Sequence, residues 1–186
     1  AIQCTLARGD IIMREDVEEF ERRLANFTNT KYAVGLNSGT DALYLSLRAL
    51  NIGQGDEVIT ISWTFVATIA VISQVGAKPI LVDIKENDYL IDPKLIEKAI
   101  TPKTKAIIPV HFNGVMCDMD KIMKIAKKHR LYVIEDAAQA FLRQYKGKMA
   151  GSIGDIGCFS FYPSKLIGAY GDAWGITTNN KEIYEK

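Results

Sequence analysis

Cysteine and histidine are scarce in this chain. Its three cysteines, Cys4, Cys117 and Cys158, are odd in number and widely spaced, with no CxxC pair. That argues against a disulfide scaffold or a zinc ribbon and points to a reducing compartment, the cytoplasm. The two histidines, His111 and His129, leave a metal site little to draw on besides scattered carboxylates, so no metal is expected. Neither sign of charge is in excess: 23 Lys and Arg face 22 Asp and Glu, for a net charge of +1. Binding to nucleic acid or to an anionic membrane needs concentrated positive surface, so neither partner is expected. A secretory leader is not visible, because Arg8 and Asp10 stand where its apolar core would lie. The 20 residues from Val58 to Ala77 carry no charge, yet Thr60, Ser62, Thr64, Thr68, Ser73 and Gln74 interrupt them. They read as a buried strand and a helix, not a membrane span.

What is present is the composition of an ordinary globular domain, 48% hydrophobic and 24% charged over 186 residues, enough for one sizeable core. Val17, Phe20, Leu24 and Phe27 recur at helical spacing. Tyr32 to Leu36 reads as a buried strand, and Ser38-Gly39-Thr40-Asp41 has the form of a capping box opening a helix through Leu43, Leu47 and Leu50. The unit repeats: strands at Glu57 to Ile61, Ile80 to Val82, Ala106 to Val110 and Leu131 to Ile134 alternate with helices at 66–75, 92–100 and 120–129. Continuous apolar strands between helices predict a three-layer α/β/α fold around a mostly parallel sheet. Beyond Asp136, Gly147, Gly151, Gly154 and Gly157 punctuate a loop-rich stretch, followed by strands near Cys158 to Tyr162 and Gly175 to Thr178. The chain ends soon after, which reads as a fragment.

Ligands of open parallel sheets bind at the carboxyl ends of the strands. The residues there are Asn37 to Thr40, Trp63-Thr64, Asp83, His111, Glu135-Asp136 and Ser160 to Lys165. Ser38-Gly39-Thr40 at a helix start offers free amides and the positive end of a macrodipole, about half a charge, either as an anion cradle or as a plain cap. Walker and GxGxxG loops are missing. One carboxylate of Glu135-Asp136 must point into the sheet-end crevice and the other away. Asp136 is either a helix cap or the partner of a protonated heterocyclic nitrogen. At about 4 Å and an effective dielectric near 20 such a pair is worth about 4 kcal/mol, or roughly three pKa units on the nitrogen. Lys165 follows the aromatic run Phe159-Ser160-Phe161-Tyr162 and breaks from it at Pro163; a desolvated lysine there is a nucleophile for Schiff-base chemistry.

Four segments in this order resemble the sugar aminotransferases of the DegT/DnrJ/StrS type, which are fold-type-I pyridoxal phosphate enzymes. They are Asn37-Ser38-Gly39-Thr40-Asp41-Ala42-Leu43, Thr64-Phe65-Val66-Ala67-Thr68, Glu135-Asp136-Ala137-Ala138-Gln139-Ala140 and Gly157 to Lys165. The resemblance implies that residues 1–186 form the cofactor-binding large domain, without the N-terminal start and the C-terminal small domain. Lys165 would bond covalently to pyridoxal phosphate and Asp136 would pair with its ring nitrogen. Gly39, Thr40 and Ser160 would hold the phosphate, Trp63 would stack on the ring, and Gln139 would touch its face or phenolic oxygen. The implied reaction moves an amino group from an amino acid, L-glutamate, to a nucleotide-linked keto sugar for polysaccharide biosynthesis, in a homodimer with shared active sites. An aldolase or lyase on the same scaffold and a non-catalytic cofactor-binding domain are the alternatives. The chain departs from the family pattern at Phe141-Leu142-Arg143, Leu166-Ile167-Gly168 and Ala173-Trp174, the last standing where the family carries a glycine pair.

Overall fold

The computed structural model describes residues 2–9 and 15–186. Helices α1 (Ile2–Arg8) and α2 (Glu15–Thr28) come first, followed by strand β1 (Tyr32–Leu36), α3 (Gly39–Ala49), β2 (Glu57–Ile61), α4 (Val66–Gln74) and β3 (Lys78–Val82). Next come α5 (Pro93–Ala99), β4 (Thr104–Ile108), α6 (Met119–His129) and β5 (Tyr132–Asp136). The small hairpin β6 (Gln144–Tyr145) and β7 (Lys148–Met149) precedes β8 (Ile156–Ser160), β9 (Trp174–Thr178) and α7 (Lys181–Tyr184).

Seven strands form one sheet in the order β1-β9-β8-β5-β4-β2-β3. Neighbours from β8 to β3 run parallel. Strand β9 alone is reversed, inserted antiparallel between β1 and β8. Side chains alternate between the two faces, and two cores follow. Val58, Ala106, Ile108, Ile134 and Cys158 pack with Leu43, Leu47, Val71 and Ile72 of α3 and α4. Ile59, Ile61, Ile107 and Val133 face the other way, onto Ile96 of α5 and Ile122 and Ile125 of α6. Each fully buried isoleucine contributes about 1.5–3 kcal/mol. A third cluster joins Leu24 and Ala25 of α2 to Phe159 and Phe161.

The caps are local. Ser38 accepts from the Asp41 amide at 3.0 Å and Asp92 from the Lys94 amide at 2.9 Å, with Pro93 in the first turn. Strand boundaries differ from the sequence reading by two residues where backbone pairing overrides apolar content. β3 begins at Lys78 and takes in Pro79, which is tolerated because β3 is the sheet edge. β8 begins at Ile156, and Phe161 and Tyr162 lie beyond it. The β6–β7 hairpin was not anticipated. Its turn is made by Lys146 and Gly147, both at positive φ, 50° and 80°, the geometry of a tight hairpin turn. Among the described residues no helix is long and apolar enough to cross a membrane, and no group of His, Cys, Asp or Glu is arranged to hold a metal ion.

Candidate active site

The carboxyl ends of β1, β2, β5 and β8 open into a cavity of about 590 Å³. Its lining brings together Ser38, Gly39 and Thr40, Thr64 and Thr68, Asp136 and Gln139, and Ser164 and Lys165, with Trp174 closing one side.

The acid pair at the end of β5 divides as the alternation of a strand requires. Glu135 is fully buried away from the cavity. It contacts Nε2 of His111 at 2.9 Å and accepts from the amides of Gly151 at 3.0 Å, Ile153 at 2.7 Å and Gly154 at 2.6 Å. The glycine-rich stretch is therefore wrapped around one carboxylate. Side chains are excluded there: a Cβ on Gly157 would lie 2.3 Å from the Gly151 Cα, and one on Gly154 would lie 2.6 Å from the Val133 carbonyl oxygen. Burial raises the Glu135 pKa, but His111 and the amides of Gly154 and Gly151 outweigh it and hold the group below its ordinary range. For His111 burial opposes charge, while Cys117 and Glu135 together raise its pKa to about 10. That value asks for a charged ring, whereas the Cys117 amide donates to Nδ1 at 3.2 Å and needs an unprotonated acceptor. The explicit hydrogen bond decides: His111 is the neutral tautomer, donating through Nε2 to Glu135.

Asp136 faces the cavity and is itself buried. Its amide donates to the Pro109 carbonyl at 2.9 Å and its carbonyl accepts from the His111 amide at 3.0 Å, both just past β4, while the next amide, that of Ala137, donates to the Cys158 carbonyl of β8 at 2.9 Å. Oδ2 accepts from the Thr68 hydroxyl at 2.9 Å and Oδ1 from the Ala138 amide at 3.2 Å. Thr64 lies behind Thr68, hydroxyl to hydroxyl at 3.1 Å. Burial pushes the Asp136 pKa up; the hydrogen bonds from Thr68 and Ala138 and the charge of Lys165 oppose this without cancelling it. A carboxylate held by neutral donors and destabilised by burial is a site for a cation. The sequence reading did not single out Thr68, because its contact depends on three strands lining up in register.

Lys165 is half-buried and lines the same cavity, in a turn that leaves β8. The turn is held by the Lys165 amide on the Tyr162 carbonyl and the Ala169 amide on the Phe161 carbonyl, both at 2.8 Å. Gly168 is required, since a Cβ would sit 2.3 Å from the Pro163 carbonyl oxygen.

At the α3 end, the amides of Gly39 and Thr40 have no intrahelical acceptor, as at any helix start. Trp174 begins β9, paired with Leu36 on one side and Ser160 on the other. Its indole packs directly against Gly39: a Cβ there would stand 1.6 Å from Cζ3.

The remaining expected residues are placed as follows. Gln139 lines the cavity and accepts from the Asn113 amide at 2.8 Å through Oε1. Ser160 is buried at the end of β8, its hydroxyl accepting from the Tyr162 amide at 3.3 Å, and it is not among the lining residues. Trp63 also lies outside the lining, exposed, with its ring 6.3 Å from Phe112 and 6.5 Å from Tyr89. Phe141, one of the departures from the family pattern, turns away from the cavity into an aromatic cluster, 4.8 Å from Phe27 and 5.0 Å from Phe161.

An open, mostly parallel sheet with an acid, an amine and a helix start around one cavity is a ligand site of the kind found at the carboxyl ends of such strands. The sequence profile of the DegT/DnrJ/EryC1/StrS aminotransferase family matches residues 1–186, and the chain belongs to that family. It is 48% identical over 182 residues to the UDP-2-acetamido-2-deoxy-3-oxo-D-glucuronate aminotransferase of Pseudomonas aeruginosa, a match covering 98% of this chain and 51% of that one. The fold superposes on an aminotransferase from Psychrobacter cryohalolentis with a TM-score of 0.96 and 40% identity, covering 98% of this chain and 47% of the other. It also superposes on NtdA of Bacillus subtilis with bound cofactor PMP, with a TM-score of 0.92 and 40% identity, covering 98% and 41%. The chain spans about half the length of the curated relatives it matches.

Proposed function

We propose that this chain is the cofactor-binding large domain of a pyridoxal phosphate-dependent aminotransferase that aminates a nucleotide-linked keto sugar. Asp136 carries the reading: a buried carboxylate, bonded only to neutral donors and facing a cavity that Lys165 also lines. The donor set matches the cofactor at two ends, with an acid for the ring nitrogen and an amine for the aldehyde. At the third end the Gly39 and Thr40 amides suit a phosphate, but Trp174 lies over Gly39. Membership of the aminotransferase family and the sugar nucleotide named for the Pseudomonas aeruginosa relative support the same assignment.

When bound, pyridoxal phosphate supplies an electron sink for a carbanion next to an imine. The protein's part is to tune and to move protons. Asp136 would hold the ring nitrogen in its protonated form, and Thr68 and the Ala138 amide fix the orientation of its carboxylate. Binding of that cation also relieves the buried charge. Lys165 Nζ, which lines the cavity, would be the base that takes a proton from the donor carbon and gives it back. Gln139, anchored by the Asn113 amide, lines the cavity that the cofactor would occupy. L-Glutamate as donor, a homodimer with shared sites, the cytoplasm and a role in polysaccharide biosynthesis complete the proposal.

The test is the visible spectrum of the protein with pyridoxal phosphate, before and after L-glutamate. The proposal expects a Lys165-dependent band that bleaches with the amino acid. A band that persists unchanged in Lys165→Ala, or no band in the wild type, contradicts it.

A further inference from the structure

Trp174 stands where the proposed function needs an anion. The three atoms nearest an ideal Gly39 Cβ are its Cζ3, Cε3 and Cη2, at 1.6, 2.2 and 2.2 Å. The indole edge therefore covers the first turn of α3, where the amides and the positive end of the helix dipole would receive a phosphate. An indole has no acceptor to offer those amides. The backbone beneath it is held in place, because β9 is hydrogen-bonded to β1 on one side and to β8 on the other. Rotation of the side chain is the remaining way to clear the space. Trp174 is only partly buried and borders a cavity of about 590 Å³, so room exists for the ring to turn. The chain leading into it is open, with Tyr170 fully exposed and Gly171 at φ 133°.

We propose that Trp174 sets the affinity of this protein for the phosphate of its cofactor: the indole occupies the phosphate position in the free protein and must turn away before the Gly39 and Thr40 amides can be reached. This rests on the reading of the cavity as a pyridoxal phosphate site and adds the residue that limits it. Two consequences follow. Cofactor binding is coupled to movement of one tryptophan, and the protein discriminates poorly between pyridoxal phosphate and phosphate-free pyridoxal, since displacing the indole offsets what the phosphate contributes.

Both are measurable. Affinities for pyridoxal phosphate and pyridoxal are determined by visible absorbance, with borohydride trapping at Lys165, in wild type, Trp174→Gly and the bulky control Trp174→Leu. The preference for the phosphorylated aldehyde is expected to rise about tenfold or more in Trp174→Gly, as for one recovered charged hydrogen bond, and to change little in Trp174→Leu. Fluorotryptophan labelling of the wild type gives one resonance for each of the two tryptophans, and Trp174→Phe identifies its own by deletion. That resonance is expected to move with pyridoxal phosphate and to stay with pyridoxal. An unchanged preference in Trp174→Gly, or an unmoved resonance at saturating pyridoxal phosphate, overturns the role of Trp174 and leaves the cofactor reading standing. Failure of every variant to trap either aldehyde at Lys165 overturns both.

Discussion

The two walls of the cavity are built by opposite means. The wall carrying Asp136 is sheet: its backbone is bonded on both sides, its carboxylate has two donors, and the Glu135 behind it gathers His111 and three amides. The wall carrying Lys165 is a turn held by a few backbone bonds, with Tyr162, Leu166 and Tyr170 exposed around it. In the proposed reaction, the difference teaches that the group which would only tune the cofactor is preformed, while the group that would bond, leave and return sits where the chain can give. Regions that move in function are drawn from the low-stability part of a fold.

Substitutions can break this contrast. The largest effect belongs to Lys165→Ala, which should abolish covalent capture of pyridoxal phosphate and lower transamination by at least about a thousandfold. Its thermal unfolding should match wild type to within about 0.5 kcal/mol, as expected for a half-exposed turn residue. Glu135→Gln should do the reverse. Loss of the charge that gathers His111 and the Gly151–Gly154 loop should cost about 3 kcal/mol in urea denaturation, with activity falling only as the folded fraction falls. A stability equal to wild type would show that the acid wall is not held in this way.

Asp136→Asn should weaken pyridoxal phosphate binding by about a hundredfold, measured by equilibrium dialysis. The ligand-free variant should nonetheless be the more stable protein at neutral pH. The sign follows from the raised Asp136 pKa. The folded protein favours the protonated acid, so the stability this group contributes is fully present below its unfolded pKa and is lost as pH rises through its folded value. The melting temperatures of the two proteins should therefore converge in acid and separate above it. The smallest effect is that of Thr68→Val, which removes one donor to a charged oxygen and should cost about 1.5 kcal/mol of cofactor affinity.

The same contrast governs how much was legible in the sequence. The strands from Tyr32 to Asp136 announce themselves by continuous apolar runs, and Ser38, Gly39, Asp136 and Lys165 follow from lying just past a strand. Local pattern is enough for these. Thr68 reaches Asp136 only because β2, β4 and β5 are in register, and Glu135 finds its amides only because the glycine stretch folds back beneath it. The direction of β9 is set by pairing with β1 and β8, which are far apart in the chain, and that pairing alone lays Trp174 on Gly39. Long-range pairing leaves no mark in a window of neighbouring residues. Phe141 shows the converse: it departs from the family pattern near the site, yet the aromatic cluster of Phe27, Phe159 and Phe161 accounts for it without chemistry.

The protonation state of the bound cofactor's ring nitrogen tests the account most directly. Nitrogen NMR of labelled pyridoxal phosphate bound to wild type should report a protonated pyridine at neutral pH, and in Asp136→Asn a deprotonated one. A deprotonated nitrogen in the wild type, or the same signal in both proteins, would contradict the role assigned to Asp136.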